Sequence, residues 1–263
     1  MDDLTPASPR VGRDIRDALA FFTRFPVHAS GPFYPNRVAW AAPVAGGAVA
    51  LLGVVTLAAS AFLRLPVFFS AVLATTVMTM STGALHEDGL ADVADGFGGG
   101  KTRERKLEIM RDSRIGTYGA VALTFSLLLR VGALAAMLGS GFAPASGALI
   151  AVAVLSRAGA MAPLAFLDPA RADGAGASAG RLELTAFGAA CLSALGLALV
   201  VGGPTLGFGP TLRAGFGAVL GAGAMVALAR RQIGGQTGDV AGAAEQWAEI
   251  GAWTGLLIGH ATA

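Results

Sequence analysis

Long apolar runs alternate with short polar connections along the 263 residues. Runs near 38–63, 67–85, 118–139, 146–167, 184–202 and 212–229 reach about the 20 residues that a helix needs to cross a hydrocarbon core. They are too long and too continuous for barrel strands, so they predict helices, whose backbone groups are satisfied within the segment. A shorter apolar stretch, 247–259, reads either as a seventh span or as a segment lying within the protein. The pattern predicts an all-α polytopic membrane protein of six to seven transmembrane helices, forming one integral domain over 1–263. Its polar parts would be an N-terminal segment, 1–37, a loop and interfacial helix, 86–116, and a Gly-rich turn, 230–246.

Composition agrees. Hydrophobic residues make up 54% and charged residues 14%, against roughly a quarter charged in soluble domains. The 38 glycines suit close packing of membrane helices. The lone cysteine, Cys191, excludes a disulfide framework or a thiolate metal site within one chain. Residues 1–20 are polar without an apolar core, so insertion is expected to rely on the internal spans.

Charge placement gives an orientation. Arg10, Arg13, Arg16, Arg24 and Arg37 precede the first span. Lys101, Arg103, Arg105, Lys106, Arg111 and Arg114 lie between the second and third. Arg171 and Arg181 lie between the fourth and fifth, and Arg230 and Arg231 follow the sixth. The connections near 140–145 and 203–211 carry no charge. The positive-inside rule then puts the N-terminus and the charged loops in the cytoplasm.

The densest chemistry follows the second span, in His86-Glu87-Asp88-Gly89-Leu90-Ala91-Asp92-Val93-Ala94-Asp95. Asp88, Asp92 and Asp95 recur at i, i+4 and i+7, which stacks them on one helix face. Like charges at that spacing repel, so a cation on that face is expected. Hard oxygen ligands point to Mg²⁺, with phosphate oxygens completing its shell. The ordinary alternative is a solvated acidic helix end, but a chain with only 17 acids puts four of them at 87–95. His86 is a ligand, a base or an orienting neighbour.

Segment 101–115 reads as a polar helix with a thin apolar stripe, either resting on anionic lipid or acting as a lid that carries Arg111 and Arg114 to a phosphorylated substrate. The glycines at 96–100 would let it move. Arg130 and Arg157 lie at mid-span. There Arg130 is expected to pair internally, while Arg157 either grips phosphate bidentately or forms a buried ion pair with one of the aspartates. Gly234-Gly235-Gln236-Thr237-Gly238-Asp239 offers donors and acceptors on a Gly turn, and Gly174-Ala175-Gly176-Ala177-Ser178 is a weaker signal of the same kind. No nucleophile triad, P-loop or dinucleotide fingerprint is found, and no nucleic-acid partner is implied.

Four ordered motifs carry a resemblance. The run from His86 to Gly96 resembles the signature of the cobalamin synthase family, the adenosylcobinamide-GDP ribazoletransferases. Phe22-Thr23-Arg24-Phe25-Pro26-Val27 resembles its N-terminal motif, residues 106–119 its central motif and residues 234–239 its C-terminal motif. The resemblance implies that α-ribazole or its 5′-phosphate attacks the cobinamide-side phosphorus of adenosylcobinamide-GDP, releasing GMP, with Mg²⁺ as cofactor. It implies Asp88, Asp92 and Asp95 as metal ligands. The catalytic set it suggests is Glu87, Asp88, Asp92, Arg111, Arg114 and Arg157, with Glu87 or Asp92 as general base. His86, Arg24, Asp112, Gln236, Thr237 and Asp239 would contact substrate. Membrane lipid is a further expected partner, and homo-oligomerisation stays open.

Two other readings compete. CDP-alcohol phosphotransferases also place spaced aspartates at a membrane site, but their pattern requires Ala-Arg after Asp-Gly, where this chain has Leu90-Ala91-Asp92. A cation-coupled transporter would carry its acids at mid-span, whereas these sit at a span's end.

Overall fold

The computed structural model describes residues 11–31, 34–174, 176 and 180–260, and among these it is helical throughout, without a named strand. Helix α1 covers Val11–Phe22, α2 Pro35–Val38, and α3 Ala42–Phe62 after one 3-10 turn, Ala39–Ala41. Then come α4 (Val67–Thr82), α5 (Leu85–Gly99), α6 (Arg103–Ile109), α7 (Thr117–Gly139) and α8 (Phe142–Phe166). The last three are α9 (Leu184–Leu206), α10 (Phe208–Ile233) and α11 (Gly238–Leu257). Of the weaker Gly stretch, Ala175, Ala177 and Ser178 lie outside the described residues, as does Arg10.

Five helical segments, Pro35–Phe62, α7, α8, α9 and α10, are long and apolar enough to cross a membrane, so the chain is a polytopic all-α membrane protein. The run expected as one span at 67–85 is a 16-residue helix that stops at Gly83 and bends by 88° into α5. Gly83 takes φ +66° and Ala84 φ +55°, left-handed conformations that end a helix. Helix α5 then runs from Glu87, which meets Arg130 halfway along α7, to Asp95, which meets Gly116 and Gly119 at the start of α7.

Helix α8 is the hub, with 89% of its apolar window buried against its neighbours. Large apolar side chains elsewhere, such as Phe68, Phe125, Leu192, Val200 and Phe216, face outward as a lipid-exposed belt would. Between α10 and α11 the backbones touch. A methyl group at Gly217 would lie 2.0 Å from the Gly251 carbonyl oxygen, and one at Gly221 would lie 2.1 Å from that of Trp247. Small residues at i, i+4 on both helices permit this approach.

That contact decides the fate of the short apolar stretch at 247–259. It belongs to α11, a 20-residue helix that begins earlier, at Gly238, and runs inside the bundle. Its Glu245 and Glu249 are buried at 1% and 6% exposure because arginines meet them there.

The polar connections gather at one end. Arg103 donates from Nε to the Ile233 carbonyl at 2.7 Å and from Nη2 to that of Ala170 at 2.6 Å. Lys106 donates to Gln232. Gln236 and residues 168–170 exchange backbone bonds, Gln236 N to Asp168 O and Ala170 N to Gln236 O, both at 2.8 Å. The basic segment is thus shorter and more fixed than expected. Its helix ends at Ile109, since the Asp112 carboxylate accepts the Arg114 amide in a local turn. The glycines before it, expected to let it move, are helical and packed. Helix α5 continues through Gly99, and Gly96 and Gly98 lie against Met110 and the Tyr118 ring.

Candidate active site

The expected acidic face forms. Asp88 is exposed on α5, and Asp92 and Asp95 are partly buried one and two turns on. The close approach of α5 to the start of α11 completes it. A methyl at Gly89 would lie 2.7 Å from the Asp239 carbonyl oxygen and 3.2 Å from Gly242 Cα, so only glycine lets these two backbones meet. Asp239 is thereby brought beside the α5 aspartates. Burial and the neighbouring Asp239, Asp88 and Asp95 push the Asp92 carboxyl up to about 7. The charge of these neighbours and its own burial disfavour the ionised form of Asp92.

One cation is at hand. Arg171 reaches Asp239 (Nη2 to Oδ2, 3.4 Å) and lies 3.9 Å from Asp173, which in turn pairs with Arg111. A chain of charges thus runs from the basic segment to the aspartates. Arg171 and Asp173 carried no signal in sequence beyond a charged loop, and only the fold makes them neighbours of the site.

Asp95 has a second task. Its carboxylate accepts the Gly116 amide at 2.7 Å and the Gly119 amide at 2.8 Å, capping α7 from a distance in sequence. A Cβ on either glycine would strike that carboxylate. The capping leaves lone pairs free, since a carboxylate offers about four acceptor sites. Among the described residues no three His, Cys, Asp or Glu side chains converge into a ready-made metal site. The donors nonetheless fit a hard divalent ion in kind, being carboxylates with an unbalanced negative charge.

The other expected site residues divide. Arg24 is exposed at the same end, its amide bonded to the Ser81 carbonyl and its side chain lying against Gly83 at the α4–α5 bend. Arg114 is exposed and forks onto Asp112, whose carboxyl its hydrogen bonds pull down to about 2. Gln236 and Thr237 are buried and hold structure. The Gln236 amide donates to the Gly176 carbonyl at 3.0 Å, and Thr237 caps α11 by accepting the Val240 amide at 3.2 Å. Asp239, 22% exposed, is the member of that motif that stays open.

Glu87 and Arg157 depart from expectation. Glu87 turns from the aspartate face into the bundle, where it accepts from Arg130 Nη1 at 2.7 Å, so it cannot act as a base at the surface. Arg157 is 5% exposed and committed to Glu245, a glutamate rather than one of the aspartates. Arg130 pairs internally, as expected, with Glu87 and Glu249. His86 is buried and stacks on Phe22, rings 6.3 Å apart and nearly parallel. The signal that was missed is Glu245-Gln246 and Glu249 at i, i+1 and i+4 in an apolar helix: two acids opposite two mid-span arginines.

Residues 14–257 match the family model for cobalamin-5-phosphate synthase. The chain is 50% identical over 255 residues to the adenosylcobinamide-GDP ribazoletransferase of Azorhizobium caulinodans, covering 95% of this chain and 97% of that one. It is 46% identical over 258 residues to the ribazoletransferase of Xanthobacter autotrophicus, with the same two coverages, and 47% identical over 244 residues to that of Bradyrhizobium diazoefficiens. No solved structure matches. Motifs, membrane architecture and near full-length likeness agree, and the chain belongs to the cobalamin-5-phosphate synthase family, transferases of cobalamin synthesis.

Proposed function

We propose that this chain joins adenosylcobinamide-GDP to α-ribazole or its 5′-phosphate at the aspartate end of the bundle, releasing GMP. The observation that carries the reading is the seating of Asp239 beside the Asp88–Asp92 face, at the end of a membrane bundle where Arg171, Arg111 and Arg114 also lie. In the reaction a ribazole hydroxyl oxygen bonds to the cobinamide-side phosphorus. The bond from that phosphorus to the bridging oxygen breaks, GMP leaves with the electron pair, and the hydroxyl proton passes to solvent at this open end. Phosphoryl transfer asks mainly for positioning and charge neutralisation.

Asp88, Asp92 and Asp239 would hold Mg²⁺, with Asp95 behind them. When bound, the ion supplies positive charge against the diphosphate. Arg111 and Arg114 follow α6 on an exposed turn, and their guanidiniums suit phosphate oxygens of substrate. Gln236 and Thr237 keep Asp239 in place instead of binding substrate. The Lys and Arg residues gathered at this end, Lys101 through Arg114 and Arg230–Arg231 among them, support a cytoplasmic face for the site.

The test is to supply purified protein in detergent with adenosylcobinamide-GDP, α-ribazole and Mg²⁺ and to identify products by mass. A cobalamin product with one GMP per turnover is expected. Hydrolysis of the GDP adduct without joining would overturn the reading.

A further inference from the structure

Beneath the aspartate face lies a buried cluster that the transfer chemistry does not use. It comprises Glu87 on α5, Arg130 on α7, Arg157 on α8, and Glu245, Gln246 and Glu249 on α11, each over nine-tenths buried. Arg130 reaches both helices that bear the site carboxylates. Its Nη1 donates to Glu87 at 2.7 Å and its Nε to Glu249 at 2.9 Å. Thr79, on the far side of the bend, donates to the same Glu87 oxygen at 3.1 Å.

Helix α5 needs such a hold. It leaves α4 through an 88° bend with two residues at positive φ, so α4 does not pass on its own helical phase. The contact of Gly89 with Asp239 and Gly242 sets how near α5 comes to α11, but two glycine surfaces resist rotation weakly. Glu87 precedes Asp88 directly and points inward where Asp88 points out. Fixing the one therefore fixes the heading of the other. Buried ion pairs contribute little net stability against apolar replacements, so their use here is better sought in specificity of arrangement.

We propose that Glu87 and Arg130 are positioning residues of the aspartate site. The guanidinium, steadied by Glu249 on α11, grips Glu87 and fixes the rotation of α5 that turns Asp88 and Asp92 towards Asp239. This rests on the reading of those aspartates as holders of a divalent ion, and it goes beyond that reading in naming what aims them.

The full chain in detergent, with Mn²⁺ as the probe followed by its free-ion EPR signal, tests the proposal without turnover. Asp88→Asn serves as the control for ions bound elsewhere, and thermal unfolding is recorded for every variant. Glu87→Gln is expected to weaken Mn²⁺ binding by about tenfold or more, the usual cost of losing an outer-shell partner. Glu245→Gln breaks the Arg157 pair in the same cluster but leaves both Arg130 contacts in place, so it should bind within about twofold of wild type, even where it and Glu87→Gln lose similar thermal stability. Arg130→Lys keeps the charge but not the fork that spans two carboxylates, so it should weaken binding as Glu87→Gln does; it also decides the matter should Glu87→Gln fail to fold. Wild-type affinity in both Glu87→Gln and Arg130→Lys, with only a lower melting point, would overturn the proposal alone. Absence of Mn²⁺ binding by the wild type would instead overturn the cation reading on which it rests.

Discussion

Arg157→Ala isolates the energetics of the buried cluster. Glu245 is 1% exposed and would lose its guanidinium, keeping Ser156 Oγ at 2.7 Å and Gln246 Nε2 at 3.1 Å. Three buried glutamates would then face Arg130 alone. Removing one partner of a buried pair costs about 3–5 kcal/mol, because the remaining charge is left uncompensated. At about 2–4 °C per kcal/mol for a chain of this size, unfolding in detergent should begin about 6–20 °C lower. The double variant Arg157→Leu with Glu245→Leu removes both charges and should recover most of that loss. Near-ultraviolet circular dichroism on heating, with tryptophan fluorescence beside it, measures both. Arg157→Lys, with its charge retained deep in the bundle and away from substrate, should keep most of the activity. A loss below about 1 kcal/mol for Arg157→Ala, a double variant no better than the single, or a collapse of turnover in a stable Arg157→Lys would rule out a purely structural Arg157–Glu245 pair.

Gly89→Ala should cost about 1–3 kcal/mol, since its methyl would meet the Asp239 carbonyl oxygen at 2.7 Å, and turnover should fall further than stability because the two acidic elements part. Asp92 ties stability to pH. Its folded value near 7 lies above the ordinary 3.8, so between these values the folded state holds more protons than the unfolded one. Stability without divalent ions should therefore decline as pH rises from about 4 to 7, and Mg²⁺ should raise the melting point more at pH 8 than at pH 6; equal shifts at both would count against ion binding there. For topology, Lys101→Cys in a Cys191→Ser background should label only from the cytoplasmic side and Ala143→Cys only from the other; labelling of position 101 from outside would reverse the orientation.

Spans and the acidic face were legible because both rest on local sequence pattern. Apolar runs of α3, α7, α8, α9 and α10 announce themselves by length, and Asp88, Asp92 and Asp95 by a 3.6-residue repeat. What stayed hidden depends on pairing between distant segments. Glu87 looks like a fourth member of the acidic face until Arg130, 43 residues on, draws it inward. Helix α11 looks too charged to be buried until Arg130 and Arg157 are seen opposite its glutamates. Gly89 looks like a helix weakness until Gly242 comes to lie against it. The glycines at 96–100 look like a hinge for the same reason, their partners Met110 and Tyr118 being invisible in the local pattern.

On the proposed function, Asp239 and the α5 aspartates would act together on a divalent ion during transfer. A Mg²⁺ titration of GMP release, comparing wild type with Asp239→Asn after chelation, tests it most directly. Activity should vanish on chelation, return with Mg²⁺, and in Asp239→Asn return only at much higher Mg²⁺ or not at all. GMP release that survives chelation, or an Asp239→Asn variant that titrates as the wild type does, would contradict the claim.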